Sequence, residues 1–149
     1  MASIVRSFVT DTNVPIVVGG FLVADNQTIK AGDLVQINAT SRKVEAAAAA
    51  STTIIGIAND DITTTTATAS DKISVTLVRN QVVRLPFTTA GTKKTFSQTD
   101  LYTTAFDLLN KTTLNPDDTT GGMCYVQAYD NTQATVDVIF ATANLANVG

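Results

Sequence analysis

The sequence has no histidine and a single cysteine, and only 15% of its 149 residues are charged, against roughly 25% in an average soluble domain. Without imidazole there is no Ser-His-Asp or Cys-His catalysis and no histidine-based metal site, and one thiol cannot build a disulfide framework. Glutamate is nearly missing as well: Glu45 is the only one, and every other carboxylate is an aspartate. Helical surfaces normally carry glutamate, whereas aspartate favours turns, where its short side chain reaches nearby backbone amides. The carboxylates read as punctuation between strands. Basic residues are few and scattered, only Arg42-Lys43 and Lys93-Lys94 are adjacent, and the net charge is −3. With no basic stripe to neutralise phosphates, no nucleic-acid partner is expected. The longest strongly apolar stretch, Val14 to Ala24, is interrupted by Gly19-Gly20 and is too short for a transmembrane helix, so no membrane partner is expected. A secretory signal is not read there, because Asp11, Thr12, Asn13 and Pro15 intervene after Arg6. The single Cys124 fits a reducing cytoplasm as the place of synthesis.

What is abundant is threonine, about one residue in six, and β-branched residues in general, which suit pleated, half-buried surfaces. The expectation is all-β. Residues 1–13 show an extended pattern with Ile4, Phe8 and Val9 among polar neighbours and no turn or helix signal to close it; they read as an N-terminal arm ahead of a single β domain, 14–149. From Phe21 onward, short strands recur between turn clusters at the spacing of a sandwich or barrel. Ile54-Ile55-Gly56-Ile57-Ala58 is a continuous apolar run of strand length and predicts a central strand, with Gly56 at a bulge or a close backbone approach. The five alanines Ala46–Ala50 read as a closely packed strand or loop, and Thr63 to Ser70 as an exposed loop or edge.

Ile73, Val75 and Leu77 alternate with polar residues, Arg79-Asn80 supplies a tight turn, and Val83, Leu85 and Phe87 alternate on the way back, which predicts a hairpin. Ser97 with Asp100 resembles a helix cap, so at most one short helix is expected, over Gln98 to Thr103. A final hairpin sets Cys124, Val126 and Ala128 on one strand against Val136, Val138 and Phe140 on the other, with a turn between Tyr129 and Gln133. Ala141 to Gly149 reads as a tail.

Candidate chemistry is thin. Asp60-Asp61 and Asp117-Asp118 lack the alternating ligand spacing of a calcium loop and read as solvated turns; no metal and no cofactor is expected. Gly19-Gly20 and Gly121-Gly122 belong to no phosphate-binding pattern and read as turns or bulges. Cys124 shares a face with Val126 and reads as a buried, inert thiol. Tyr125 and Tyr129 share the opposite face, where with Gln127 they form a contact surface or carbohydrate platform, or pack partly buried against a neighbouring strand or loop. No catalytic residue is assigned, and no enzyme is expected. With few charges and a mean hydropathy of +0.17, the globule covers itself largely with Thr, Asn, Gln, Ser and Ala, a surface whose weak self-repulsion suits close packing among other subunits. The arm, through Ile4, Val5, Arg6, Phe8 and Val9, supplies a segment that can add to another chain's sheet edge.

The order of segments Phe21-Leu-Val-Ala24, Ala31-Gly-Asp-Leu-Val35, Ile54-Ile-Gly-Ile-Ala58, Ile73 to Phe87, Thr99-Asp-Leu-Tyr102, Ala105-Phe-Asp-Leu108 and Val126 to Phe140 resembles the head decoration, or cement, proteins of tailed bacteriophages. The resemblance implies a small β-barrel or β-tulip-like domain, commonly trimeric. It further implies binding to the outside of an icosahedral head, with the major capsid protein as partner, and localisation on the virion surface. Another virion subunit, from tail or fibre, and a secreted polysaccharide-binding module remain the alternatives.

Overall fold

The apolar run Ile54–Ala58 is a strand buried along its whole length in the computed structural model of the chain, which describes residues 1–7 and 15–148. It is the sixth of thirteen strands in the described residues: β1 (Ser3–Ser7), β2 (Val17–Leu22), β3 (Thr28–Ile29), β4 (Leu34–Ile37), β5 (Val44–Ala46), β6 (Ile54–Ala58), β7 (Ile62–Thr63), β8 (Lys72–Leu77), β9 (Gln81–Pro86), β10 (Ala105–Asn110), β11 (Thr113–Asn115), β12 (Cys124–Asp130) and β13 (Thr135–Phe140). They form three antiparallel sheets, ordered β2-β8-β6-β4-β5, β1-β9-β13-β12-β10-β11 and β3-β7. The fold is all-β, and the described residues contain no α-helix.

β6 is central in the five-stranded sheet because both its faces are covered. Val35 pairs with Gly56 but Gln36 with Ile54, so Ile55 is an extra residue. The bulge shifts the alternation: Ile54 and Ile57 enter one core, Ile55 and Ala58 the other. Gly56 is required there, since a Cβ on it would lie 2.0 Å from the Thr76 carbonyl oxygen.

Each large sheet curls until its ends almost meet. In the five-stranded sheet Val23, just past β2, makes a single bridge to Val44 of β5; in the six-stranded sheet Leu114 of β11 makes one to Phe87, just past β9. Single bridges are not ladders, and neither sheet is a closed barrel. The six-stranded sheet lines its interior with Val83, Val126 and Val138, which are opposite one another across β9, β13 and β12. Phe96 packs edge-to-face between Phe87 and Phe106, with ring centroids 4.9 and 5.1 Å apart, a geometry that aromatic quadrupoles favour.

Four sequence expectations are corrected. β8 and β9 are not a hairpin: Asn80 does turn the chain, with φ of 60°, but β8 joins the five-stranded sheet and β9 the six-stranded one. The segment is a crossover, and its two apolar faces enter different cores. The expected helix over Gln98 to Thr103 is a 3-10 turn, Gln98–Asp100, and a second such turn, Thr142–Asn144, lies in the tail. The tail is docked on the body, with the Ala146 N–H bonded to the Ile54 carbonyl at 2.9 Å and the Arg79 guanidinium to the Ala146 carbonyl at 3.0 Å. The terminal hairpin β12–β13 forms as expected, but a bulge at Gln127 takes Ala128 off the buried face and sets it opposite Asp137.

Candidate contact surface

The N-terminal segment assigned to contact lies on the edge of the six-stranded sheet. β1 runs antiparallel to β9 over Gln81–Arg84, while Leu114 takes the far end of the same edge at Phe87. β1 therefore fills half of the seam left where the sheet fails to close. Ala2 is buried in the larger core, Ile4 packs against it, and the Ala2 N–H bonds the Gly32 carbonyl at 3.0 Å. A bulge between Ile4 and Arg6 turns Val5 outward, and Val5 and Arg6 are exposed. Among the described residues no strand pairs with the outer side of β1. Of the five contact candidates, Ile4 is held by its own chain and Val5 and Arg6 face solvent; Phe8 and Val9 lie outside the described residues.

The carboxylates are committed to the loops. Every described aspartate except Asp137 accepts a hydrogen bond from a backbone N–H. Asp60 accepts from Ser74, Asp61 from Ala31, Asp117 from Thr92 and Lys93, and Asp118 from Thr120. The acidic pairs thus close turns, as their spacing suggested. Asp107, buried on the outer face of β10, grips the Ala50 N–H with both oxygens at 2.9 and 3.0 Å, holding Ala50 at a φ of 56°. Asp137 instead pairs in bidentate fashion with the Arg84 guanidinium at 2.7 and 2.9 Å, which raises the Arg84 pKa above its ordinary value.

Arg84, Asp137 and Ala128 form one rung across the outer face of β9, β13 and β12. With Asp130, Gln133 and Thr135 they line an open cleft of about 360 Å³. Tyr129 lines it as well, and its charged groups are the Arg84 guanidinium and the carboxylates of Asp130 and Asp137. Tyr125 and Tyr129 do not share a face: beyond the bulge Tyr129 pairs with Val136, a core residue, while Tyr125 pairs with Ile139. Burial pushes the Cys124 thiol far above its ordinary pKa, and the charge of Asp107 adds to the shift. No group of His, Cys, Asp or Glu among the described residues is arranged to hold a metal ion, and no described helix is long and apolar enough to cross a membrane.

Sequence reasoning missed the edge of β2, where Ile16, Val17 and Leu22 are exposed. They lie in the apolar stretch Val14 to Ala24, and only the sheet order places β2 at the end of its sheet. The chain matches no model of a known protein family, and a search of curated proteins finds no match either.

Proposed function

We propose that the chain is a structural virion protein that binds the outer surface of an icosahedral phage capsid and stabilises it, a decoration or cement protein without catalytic activity. In this reading the two curled sheets are the body of a barrel-like or tulip-like domain. Its partners are the major capsid protein and further copies of itself, in a homotrimer suited to threefold positions of the shell. The segment order described above supports the reading. The observation that carries it is β1, an N-terminal strand on an open sheet edge with Val5 and Arg6 turned outward. Such an edge takes up a strand of a partner through backbone hydrogen bonds. Each copy would bury on the order of 1,000 Å² against the shell, and repetition over the lattice would multiply the cost of opening it.

The test is co-sedimentation of the purified protein with undecorated heads. Saturable binding that changes little between low and high salt is expected, and absence of binding at any salt overturns the reading. Val5→Asp with Arg6→Glu alters only exposed side chains. It is expected to leave the circular dichroism spectrum unchanged and to weaken binding; unchanged affinity moves the contact to the body of the domain.

A further inference from the structure

β1 is held in its seam by little besides its backbone. Of the apolar side chains from Ala2 to Ser7, only Ala2 enters the larger core; Ile4 packs partly buried against it, and Val5 faces solvent. The ladder with β9 is broken by the bulge between Ile4 and Arg6 and ends where Ser7 meets Gln81. There the buried Gln81 side chain donates through Nε2 to Ser7 Oγ at 3.3 Å, and its Oε1 has no hydrogen-bond partner. A buried acceptor left so carries its full desolvation cost. Among the described residues no strand pairs with the outer side of β1, so it leaves the sheet without breaking a second ladder. Segments with few buried contacts are the ones that open without global unfolding.

Chain length gives the strand room to travel. Ser7 lies opposite Gln81, the Leu77 N–H donates to the Ile16 carbonyl at 2.8 Å, and Val78–Gln81 is a tight turn closed by the Gln81 N–H on the Val78 carbonyl at 3.1 Å. From the usual spacings of paired strands and turn ends, Ser7 and Ile16 are within about 22 Å of each other. Residues 8–15 join them, and a chain of that length spans about 30 Å when extended. Its own seam uses only part of that reach; the rest brings β1 to any neighbouring seam that begins within about 30 Å of Ile16.

The seam itself specifies the occupant. Without β1 it presents the edge N–H and C=O groups of β9 and the places that Ala2 and Ile4 fill. β1 of a second copy carries the same residues in the same direction and makes every contact that the chain's own strand makes, which is why exchange of an identical element is a low-cost route to association. Because the contacts are the same either way, the outcome is set by the concentration of neighbours against the effective concentration of the tethered strand.

We propose that β1 is an exchangeable strand: it fills the seam of its own chain when the protein is dilute and the seam of a neighbouring copy when copies are crowded. In either position Val5 and Arg6 stay turned outward. The proposal concerns copies of the chain in solution and stands independently of capsid binding.

Cross-linking between chains tests it. Ser3 and Arg84 are opposite one another in the β1–β9 ladder and both are exposed, whereas Cys124 is buried. A chain with Ser3→Cys is mixed with a chain with Arg84→Cys, incubated at millimolar concentration and treated with a short bismaleimide, and the linked peptides are identified by mass spectrometry. Links between positions 3 and 84 of different chains are expected to exceed by about tenfold or more those formed when Ser3→Cys is mixed with Lys72→Cys, an exposed position on β8. Adding Ala2→Asp to the Ser3→Cys chain puts a carboxylate where the seam takes a buried methyl group, and is expected to return the yield to that of the Lys72→Cys mixture. Circular dichroism verifies that each variant folds. A yield no higher than that of the Lys72→Cys mixture overturns the proposal. So does a yield that survives Ala2→Asp, since it would mark a contact between two surfaces and not a strand in the seam.

Discussion

The two cores of this protein are built differently. The larger, inside the six-stranded sheet and against one face of β4 and β6, contains Phe87, Phe96, Phe106 and Phe140 together with Met123 and Cys124. The smaller, inside the five-stranded sheet, has no buried aromatic among the described residues and consists mainly of valine and isoleucine, closed over by the short β3–β7 ladder and the end of the tail. Aromatic rings bring much area per residue and fill a wide interior. β-branched side chains are stiff and suit a narrow one. β6 is the wall between them, and the comparison teaches that one bulged strand lets two small interiors share a partition.

The largest expected effect lies in the larger core. Phe106→Ala removes the ring that meets Phe96 and should cost about 3–5 kcal/mol by urea denaturation. A cost below about 2 kcal/mol would mean that the aromatic cluster collapses around the hole. Gly56→Ala strikes the partition itself, where both neighbours are backbone or β-branched; the expected cost is about 3 kcal/mol, at the upper end for overpacking. Because β6 serves both interiors, tryptic cleavage should speed up around both cores, and cleavage confined to one would show that they open separately. Asp107→Ala, which removes the charged acceptor of the Ala50 and Leu108 N–H groups beside the larger core, is expected to cost about 1.5–3 kcal/mol. Ile73→Val in the smaller core should cost only about 0.5–1.5 kcal/mol; a loss matching Phe106→Ala would erase the distinction between the cores.

The smallest effect is a pH dependence at the two flanks. Burial raises the pKa of Asp100, but hydrogen bonds from Lys93 and Ser97 outweigh it and hold the carboxyl below its ordinary value of 3.8. The Ala31 N–H is the main cause of the lowered value of Asp61, near the β3–β7 cover. Groups lowered in the folded state stabilise it fully above 3.8, and that contribution disappears as pH falls through their depressed folded values. The Tm should be flat at neutral pH and fall in that acid range. A Tm that holds there would show these carboxyls to be of no consequence for folding.

Much of the fold was legible because its signals are local. The unbroken apolar run Ile54–Ala58, the alternation of β12 and β13, and aspartates at turns each depend on a few neighbouring residues. The Arg79-Asn80 turn was equally legible as a turn, yet turn chemistry does not say which sheet the outgoing strand joins. The bulge in Ile54–Ala58 was announced by Gly56 inside the apolar run, but the one at Gln127 was hidden for the same reason: a bulge is a relation between two strands, and no residue type at Gln127 announces it. The contact segment was legible as extended and peripheral, but not as a strand filling the seam of its own sheet.

By itself the sequence determined a β-rich chain, the positions of most turns, and a side-chain chemistry without imidazole. Those follow from intrinsic preferences that act over a few residues. Only the tertiary structure decided which strands are neighbours, that β6 divides two cores, and that β1 and β2 are edges. Those depend on how distant segments share buried area, and a period of two along one strand looks the same whichever partner lies beside it.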